Sequence, residues 1–288
     1  MAAAALVQAQ LLTENAKKSA EIDELKAFVA RFSANASKAK QATSRARRME
    51  KIELEEVVPS SRRFPFIQYN QHKKLHRQAL ELAHVSHGFE EGTLFTGGEI
   101  LLEAGAKLAV IGENGAGKTT FLRCLVDELK ANSGVIKWSE NASIGYCPQD
   151  NSADFANDMT LFEWLSQWRT KGQDDLFVRS ILGRLLFTSD EVNKKVSVCS
   201  GGEKNRLMFG KLMMQEINVL IMDEPTNHMD MEAIESLNKA LSAFDGTLIF
   251  VSHDREFVSS IADSIIEIAD QKLHYFQGSF DEYMSHKN

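Results

Sequence analysis

Hydrophobic positions divide the chain into two stretches of different rhythm. In the first, Ile22, Leu25, Val29 and Phe32 recur at helical spacing and form one apolar stripe. The first proline is Pro59 and the first glycine Gly88, although the chain holds 17 glycines. Both residue types break helices, so their joint absence predicts a long helix over residues 1–56. After Phe32 the stripe fades into a polar, basic, alanine-rich run. A helix with so little apolar surface needs a partner helix or a binding surface. Pro59 and Pro65 then stop it, and residues 57–78 read as an extended connector.

From Ala79 the rhythm changes. Leu108–Ile111, Val219–Met222 and Leu248–Val251 are short apolar runs of the kind found in buried parallel strands, and they alternate with helical stretches. That alternation predicts a parallel sheet covered on both faces over residues 79–288.

Composition and charge narrow the picture. Hydrophobic residues make up 43% of the 288, enough for a real core. Cys124, Cys147 and Cys199 lie far apart and form no CxxC pair, so neither a disulfide framework nor a zinc site is expected, and a reducing cytosol is the default. The start MAAAALVQAQ does not read as a signal peptide. No apolar run approaches the ~18 residues of a membrane span, so no direct membrane insertion is expected. The net charge of -7 is uneven: residues 1–63 hold 12 Lys+Arg and 8 Asp+Glu, the rest 21 and 32. Within 31–51, seven basic residues (Arg31, Lys38, Lys40, Arg45, Arg47, Arg48, Lys51) face one acid, Glu50. Such asymmetry points to a polyanionic partner such as RNA, or, more plainly, to a solvated helix surface.

The chemistry sits in the second stretch. Gly112, Glu113, Asn114, Gly115, Ala116, Gly117, Lys118 and Thr119 match G-x-x-x-x-G-K-[ST], after the strand KLAVI and before the amphipathic helix TFLRCLVDELK. Glycines let the backbone wrap phosphate oxygens, Lys118 reaches the β- and γ-phosphates of ATP, and Thr119 offers a hydroxyl to Mg²⁺. The run Val219–Met222 ends in Asp223 and Glu224. An acid at the tip of a strand beside a phosphate loop holds Mg²⁺, and the adjacent Glu224 becomes the general base for an attacking water. Cys199-Ser200-Gly201-Gly202-Glu203-Lys204 precedes a helical stretch, so a hydroxyl and backbone N–H groups could face an anion. Gln149 follows the strand expected at Ala142–Tyr146, and His253 ends the strand Leu248–Val251. Alone, each would be an ordinary loop residue.

The order of these elements resembles the ATP-binding cassette family over residues 79–288. The resemblance implies Gln149 as the Q-loop residue, a metal ligand with a catalytic part, Ser200, Gly201 and Gly202 as signature phosphate contacts, Asp230 as the D-loop, and His253 as the catalytic H-switch. Thr120 joins the phosphate contacts, and Phe89 is the aromatic that would stack on adenine, worth about 1 kcal/mol. The implied fold is α/β: a mostly parallel sheet, an antiparallel β patch and a helical subdomain around 150–200. Glu203 and the sequence PTNHMD depart from transporter cassettes, and residues 32–51 look like the second linker helix of ABC-F proteins, soluble twin-cassette ATPases that act on ribosomes. Their bacterial YbiT-type branch looks similar from residue 12 on. Cys199 stands where the family has leucine. A second cassette, on the same or another chain, is the implied partner for composite sites. An ATPase subunit of a membrane transporter and a regulatory cassette with little hydrolysis are the competing readings.

Overall fold

The computed structural model describes residues 63–90 and 92–287. The helix expected over 1–56, its basic stretch 31–51 and the start of the connector lie outside them.

One ten-stranded sheet organises the described residues. Its parallel part runs β6 (Ile144–Cys147), β7 (Val219–Asp223), β8 (Thr247–Val251), β4 (Lys107–Gly112) and β9 (Ser264–Ala269) in spatial order. β10 (Lys272–Gln277) pairs antiparallel with β9 and joins the parallel part to β2 (Gly92–Gly97). The long β1 (Gln78–Phe89) pairs antiparallel with β2, β3 (Glu99–Glu103) and β5 (Ser133–Trp138). The α/β class with an antiparallel patch is therefore as expected.

Strand alternation explains why the central runs are apolar without interruption. Leu220, Met222, Leu248 and Phe250 face one core, while Val219, Ile221, Ile249 and Val251 face the other. Both faces are covered, so both parities must be apolar. The first core lies under α2 (Leu161–Ser166), α3 (Asp175–Arg184), α4 (Gly201–Met214), α5 (Met231–Ser242), α6 (Arg255–Ile261) and α7 (Phe280–Lys287). The second lies between the sheet and α1 (Lys118–Leu125), whose Phe121, Leu122, Cys124 and Leu125 are buried.

The elements differ from the expected pattern in two places. The amphipathic run after Thr119 extends to Lys130, yet α1 ends at Leu125. Asp127 adopts a left-handed φ of 60°, and the Glu128 and Leu129 amides both turn back to the Arg123 carbonyl at 3.0 and 3.2 Å. The strand expected at Ala142–Tyr146 begins at Ile144 and reaches Cys147. Residues 63–77 form no helix or strand, but Ile67, Tyr69 and Leu75 are buried. Backbone bonds from the Phe66 amide to Arg184 and the His72 amide to Ile217 tie this segment to the body.

Candidate nucleotide site

Parallel strands present their carboxyl ends together, and ligands of open α/β sheets bind in the crevice outside those ends. Here β4, β8 and β7 are in register through Val110, Val251 and Asp223. The loops beginning at Gly112, Ser252 and Glu224, with Pro148–Asp150 after β6, therefore open on one edge.

The loop after β4 needs its glycines. A Cβ on Gly112 would lie 2.6 Å from the Ile268 carbonyl oxygen of neighbouring β9. Gly117 caps α1 with a φ of 101° and no side-chain bond to the helix amides. The first-turn N–H groups of α1 are thus left for a ligand, at the positive end of the helix dipole. Lys118 folds over the loop, and its Nζ donates to the Gly112 and Glu113 carbonyls at 2.9 Å each. Burial lowers the Lys118 pKa, while Glu224 and Asp223 pull it back upward.

Asp223 and Glu224 are both buried, at 1% and 6% exposure. Neither Asp223 carboxylate oxygen has a well-aligned hydrogen bond among the described residues. Burial raises the Asp223 pKa, offset in part by the nearby Thr119 hydroxyl and by Lys118. Glu224 sits at a φ of 49°, uncommon for a side chain of its size. Its Oε2 accepts from the His253 amide at 3.3 Å, and its Oε1 lies 3.3 Å from His253 Nε2 without the alignment of a hydrogen bond. Burial raises the Glu224 pKa, and Asp223 adds to the rise; His253 and Lys118 oppose it.

A cavity of about 360 Å³ collects most of the expected residues: Phe89, Asn114, Gly115, Gly117, Lys118, Thr119, Thr120, Gln149, Asp223 and His253. Glu224 and Gly201 line an adjoining cavity of about 400 Å³, which also reaches Gln149 and Asp223. Gly112 and Glu113 face a third, with His253, and Ala116 a fourth beside Leu94. Ser200 and Gly202 line none of these. Ser200 instead caps α4: its amide donates to Glu203 Oε2 at 2.7 Å, and the Glu203 amide reaches back to Ser200 Oγ at 3.4 Å. Lys194 Nζ lies 2.9 Å from both Glu203 oxygens. A larger cavity, about 720 Å³, lies between residues 64–71 and α5, and no expected site residue is on its wall.

Residues 97–227 match the family model described as ABC transporter, and residues 1–66 match a second model of the same description. The chain is 58% identical over 287 residues to the Probable ATP-binding protein YbiT of Escherichia coli O157:H7, covering 100% of this chain and 54% of that protein. The chain belongs to the ABC ATPase family. It is also 33% identical to the Arabidopsis thaliana ABC transporter F family member 5, over 94% of this chain and 40% of that one. The chain spans about half the length of the curated relatives it matches. Among solved structures, CbiO1 of Clostridium perfringens superposes with a TM-score of 0.58 at 22% identity, over 74% of this chain and 92% of that one. That likeness concerns the fold. Members of the family bind ATP, and among the described residues no helix is long and apolar enough to cross a membrane.

In this ABC cassette the β1 strand carries a feature that apolar spacing hides. Leu80 and Leu82 point inward, His84 breaks the register with a φ of 53°, and Val85 and His87 then point inward. The bulge switches the buried parity from even to odd. His87 and Phe89 thus share a face, with rings 5.2 Å apart and edge-on. His87 Nδ1 is 3.1 Å from the Lys130 carbonyl oxygen, and Phe89 remains 59% exposed beside the phosphate loop. Sequence reasoning named Phe89 but missed His87, whose only signal was its place two residues before an aromatic. It also missed Lys194, which no motif marks.

Proposed function

We propose that this cassette binds Mg-ATP on the Gly112–Thr120 loop and hydrolyses it with Glu224 as general base. The observation that carries the reading is the buried pair Asp223 and Glu224 beside Lys118, with the Asp223 oxygens lacking aligned partners. Two adjacent carboxylates in a buried site are costly unless cations complete them. Among the described residues no group of three His, Cys, Asp or Glu side chains could hold a metal alone. A magnesium ion suits such a place, since it takes one or two protein oxygens and completes its shell with phosphates and water. Thr119, Asp223 and Gln149 are the residues to hold it, and when bound it would neutralise charge developing on the phosphates.

The chain's own groups then divide the work. Lys118 and the α1 amides hold the β- and γ-phosphates, with Thr120 beside them, and Phe89 stacks on the adenine. Glu224 takes a proton from water as the water oxygen bonds to the γ-phosphorus. The bond from that phosphorus to the bridging oxygen breaks, and ADP and phosphate leave. His253 steadies the Glu224 carboxylate through the contacts already described. Ser200, Gly201 and Gly202 lie outside the phosphate cavity, which supports a role toward the nucleotide of a second cassette.

The narrower reading is a soluble ABC-F type protein acting on the ribosome through the basic segment 31–51. The similarity to YbiT and to an F family member supports it, as does the seven-to-one excess of basic residues on an otherwise acidic chain. An acidic body is repelled by RNA, so binding must be directed through the positive element. In this reading 1–56 is the linker segment, 57–78 the connector and 79–288 the cassette. Phosphate release from Mg-ATP, with Glu224→Gln as control, tests the ATPase reading. Co-sedimentation with ribosomes across a salt series, with Arg45, Arg47 and Arg48 changed to Glu, tests the narrower one. Association that survives the triple change with an unaltered salt slope would overturn it.

A further inference from the structure

Behind the buried carboxylates, a polar chain ties together three segments that the proposed reaction uses separately. Asn205, in the second turn of α4, donates through Nδ2 to the Asn227 carbonyl at 2.7 Å. Its Oδ1 accepts from Asn151 Nδ2 at 3.1 Å. The orientation is forced, because a backbone carbonyl can only accept: the Asn205 nitrogen must face Asn227, which leaves its oxygen for Asn151. The Asn227 amide in turn donates to the Glu224 carbonyl at 3.2 Å. That bond closes the turn in which Glu224 holds its left-handed backbone. Asn151 follows Gln149 by two residues. Asn205, Asn227, Glu224, Gln149 and Gly201 line the same cavity of about 400 Å³.

We propose that Asn205 is a positioning residue, which fastens the turn carrying Glu224 and the segment carrying Gln149 to the first turns of α4. The inference rests on the ATPase reading and adds to it a residue outside every motif named above. Uncommon backbone conformations persist only where their surroundings over-determine them. The Glu224 turn is held from the front by His253 and from behind by Asn205 through Asn227. Asn205 touches neither the phosphate loop nor the 360 Å³ cavity. Its loss therefore leaves nucleotide binding in place and lowers turnover. Because Ser200 caps α4, a displacement of that end reaches Asn227 and Asn151 through one side chain.

Three variants of the full chain separate this role from bland packing. With Asn205→Ala, the Kd and KM for Mg-ATP stay within about twofold of wild type while kcat falls about tenfold, the equivalent of one ordinary hydrogen bond. Asn205→Asp is nearly isosteric, still accepts from Asn151, and sets an oxygen against the Asn227 carbonyl; its kcat falls at least as far. Asn151→Ala spares the bond to Asn227 and costs no more than about threefold. Wild-type kcat in either folded Asn205 variant overturns the proposal, as does a loss of Kd in proportion to kcat. Should Asn205→Ala fail to fold, Asn205→Asp decides alone. A wild-type chain that binds no nucleotide overturns the ATPase reading instead, a separate outcome.

Discussion

The two ends of the site are finished to different degrees. Around Asp223 and Glu224 the fold buries two carboxyls, both with raised pKa values, near Lys118. Around Ser200 it closes a capping box and adds Lys194 on Glu203. Burial pushes the Glu203 carboxyl up, but the Lys194 and Ser200 bonds outweigh it and hold the pKa below the ordinary value. The difference separates two kinds of functional surface. One is electrostatically incomplete and, on the proposed reading, is completed by a cation and phosphates. The other is complete in itself and can only present its helix end to something else.

The largest break in this comparison comes at Glu224. Glu224→Gln keeps the shape and removes the proton acceptor, so phosphate release should fall by about 10²- to 10⁴-fold while ATP still binds. Hydrolysis at the wild-type rate would remove Glu224 from the reaction. Next in size is the ligand. At a hundred times its Kd, Mg-ATP should stabilise the chain by about 2.7 kcal/mol, roughly 5–10 °C in a thermal melt at this size. Chelating the metal should reverse most of that gain, and a melt indifferent to chelation would count against Asp223 as a metal ligand.

A smaller effect sharpens the contrast without any ligand. Both Asp223 and Glu224 have raised pKa values, so the native state keeps protons that the unfolded chain has released. Stability must then fall as pH rises from the ordinary carboxylate range through the raised native values. Asp223→Asn removes one of the two buried charges. Without nucleotide it should raise the melting temperature near neutral pH by the order of 1 kcal/mol, roughly 2–4 °C. It should also flatten the decline with pH and abolish the response to Mg²⁺. An apo melt lowered by Asp223→Asn would mean that the carboxylate is compensated after all.

How much of this was legible in the chain follows from what each residue must do. The phosphate loop was readable because the backbone's close approach to Ile268 and the positive φ at Gly117 admit almost no other residue type. The strands were readable because both of their faces are buried. Strand order was not: β8 lies between β4 and β7 although it comes last of the three, and nothing local records that. The His84 bulge left no mark, since the switch in parity looks like noise in a twelve-residue strand. Asn205 was equally silent. Its work is done by two hydrogen bonds to residues 22 and 54 positions away, and an asparagine on a helix carries no periodic signal.

The smallest effect tests the finished end. Ser200→Ala removes the hydroxyl that accepts from the Glu203 amide but leaves the Ser200 amide bonded to Glu203 Oε2. Loss of such a cap costs about 1 kcal/mol, so the melting temperature should drop by roughly 2–4 °C. The pH response has the opposite sign to that of Asp223. The Glu203 pKa is lowered, so its contribution is present above the ordinary carboxylate value and is lost as pH falls through the native one. Acid should thus loosen the start of α4 under conditions that relieve the repulsion at Asp223 and Glu224. In Glu203→Gln the first trend disappears and the second remains. Because Ser200 lies outside the phosphate cavity, Ser200→Ala should leave the Kd of a single cassette for ATP unchanged, and any loss of turnover should appear only where two cassettes meet. A Kd that rose tenfold in the monomer would place the Ser200 hydroxyl on its own chain's nucleotide, and the two ends of the site would then belong to one ligand.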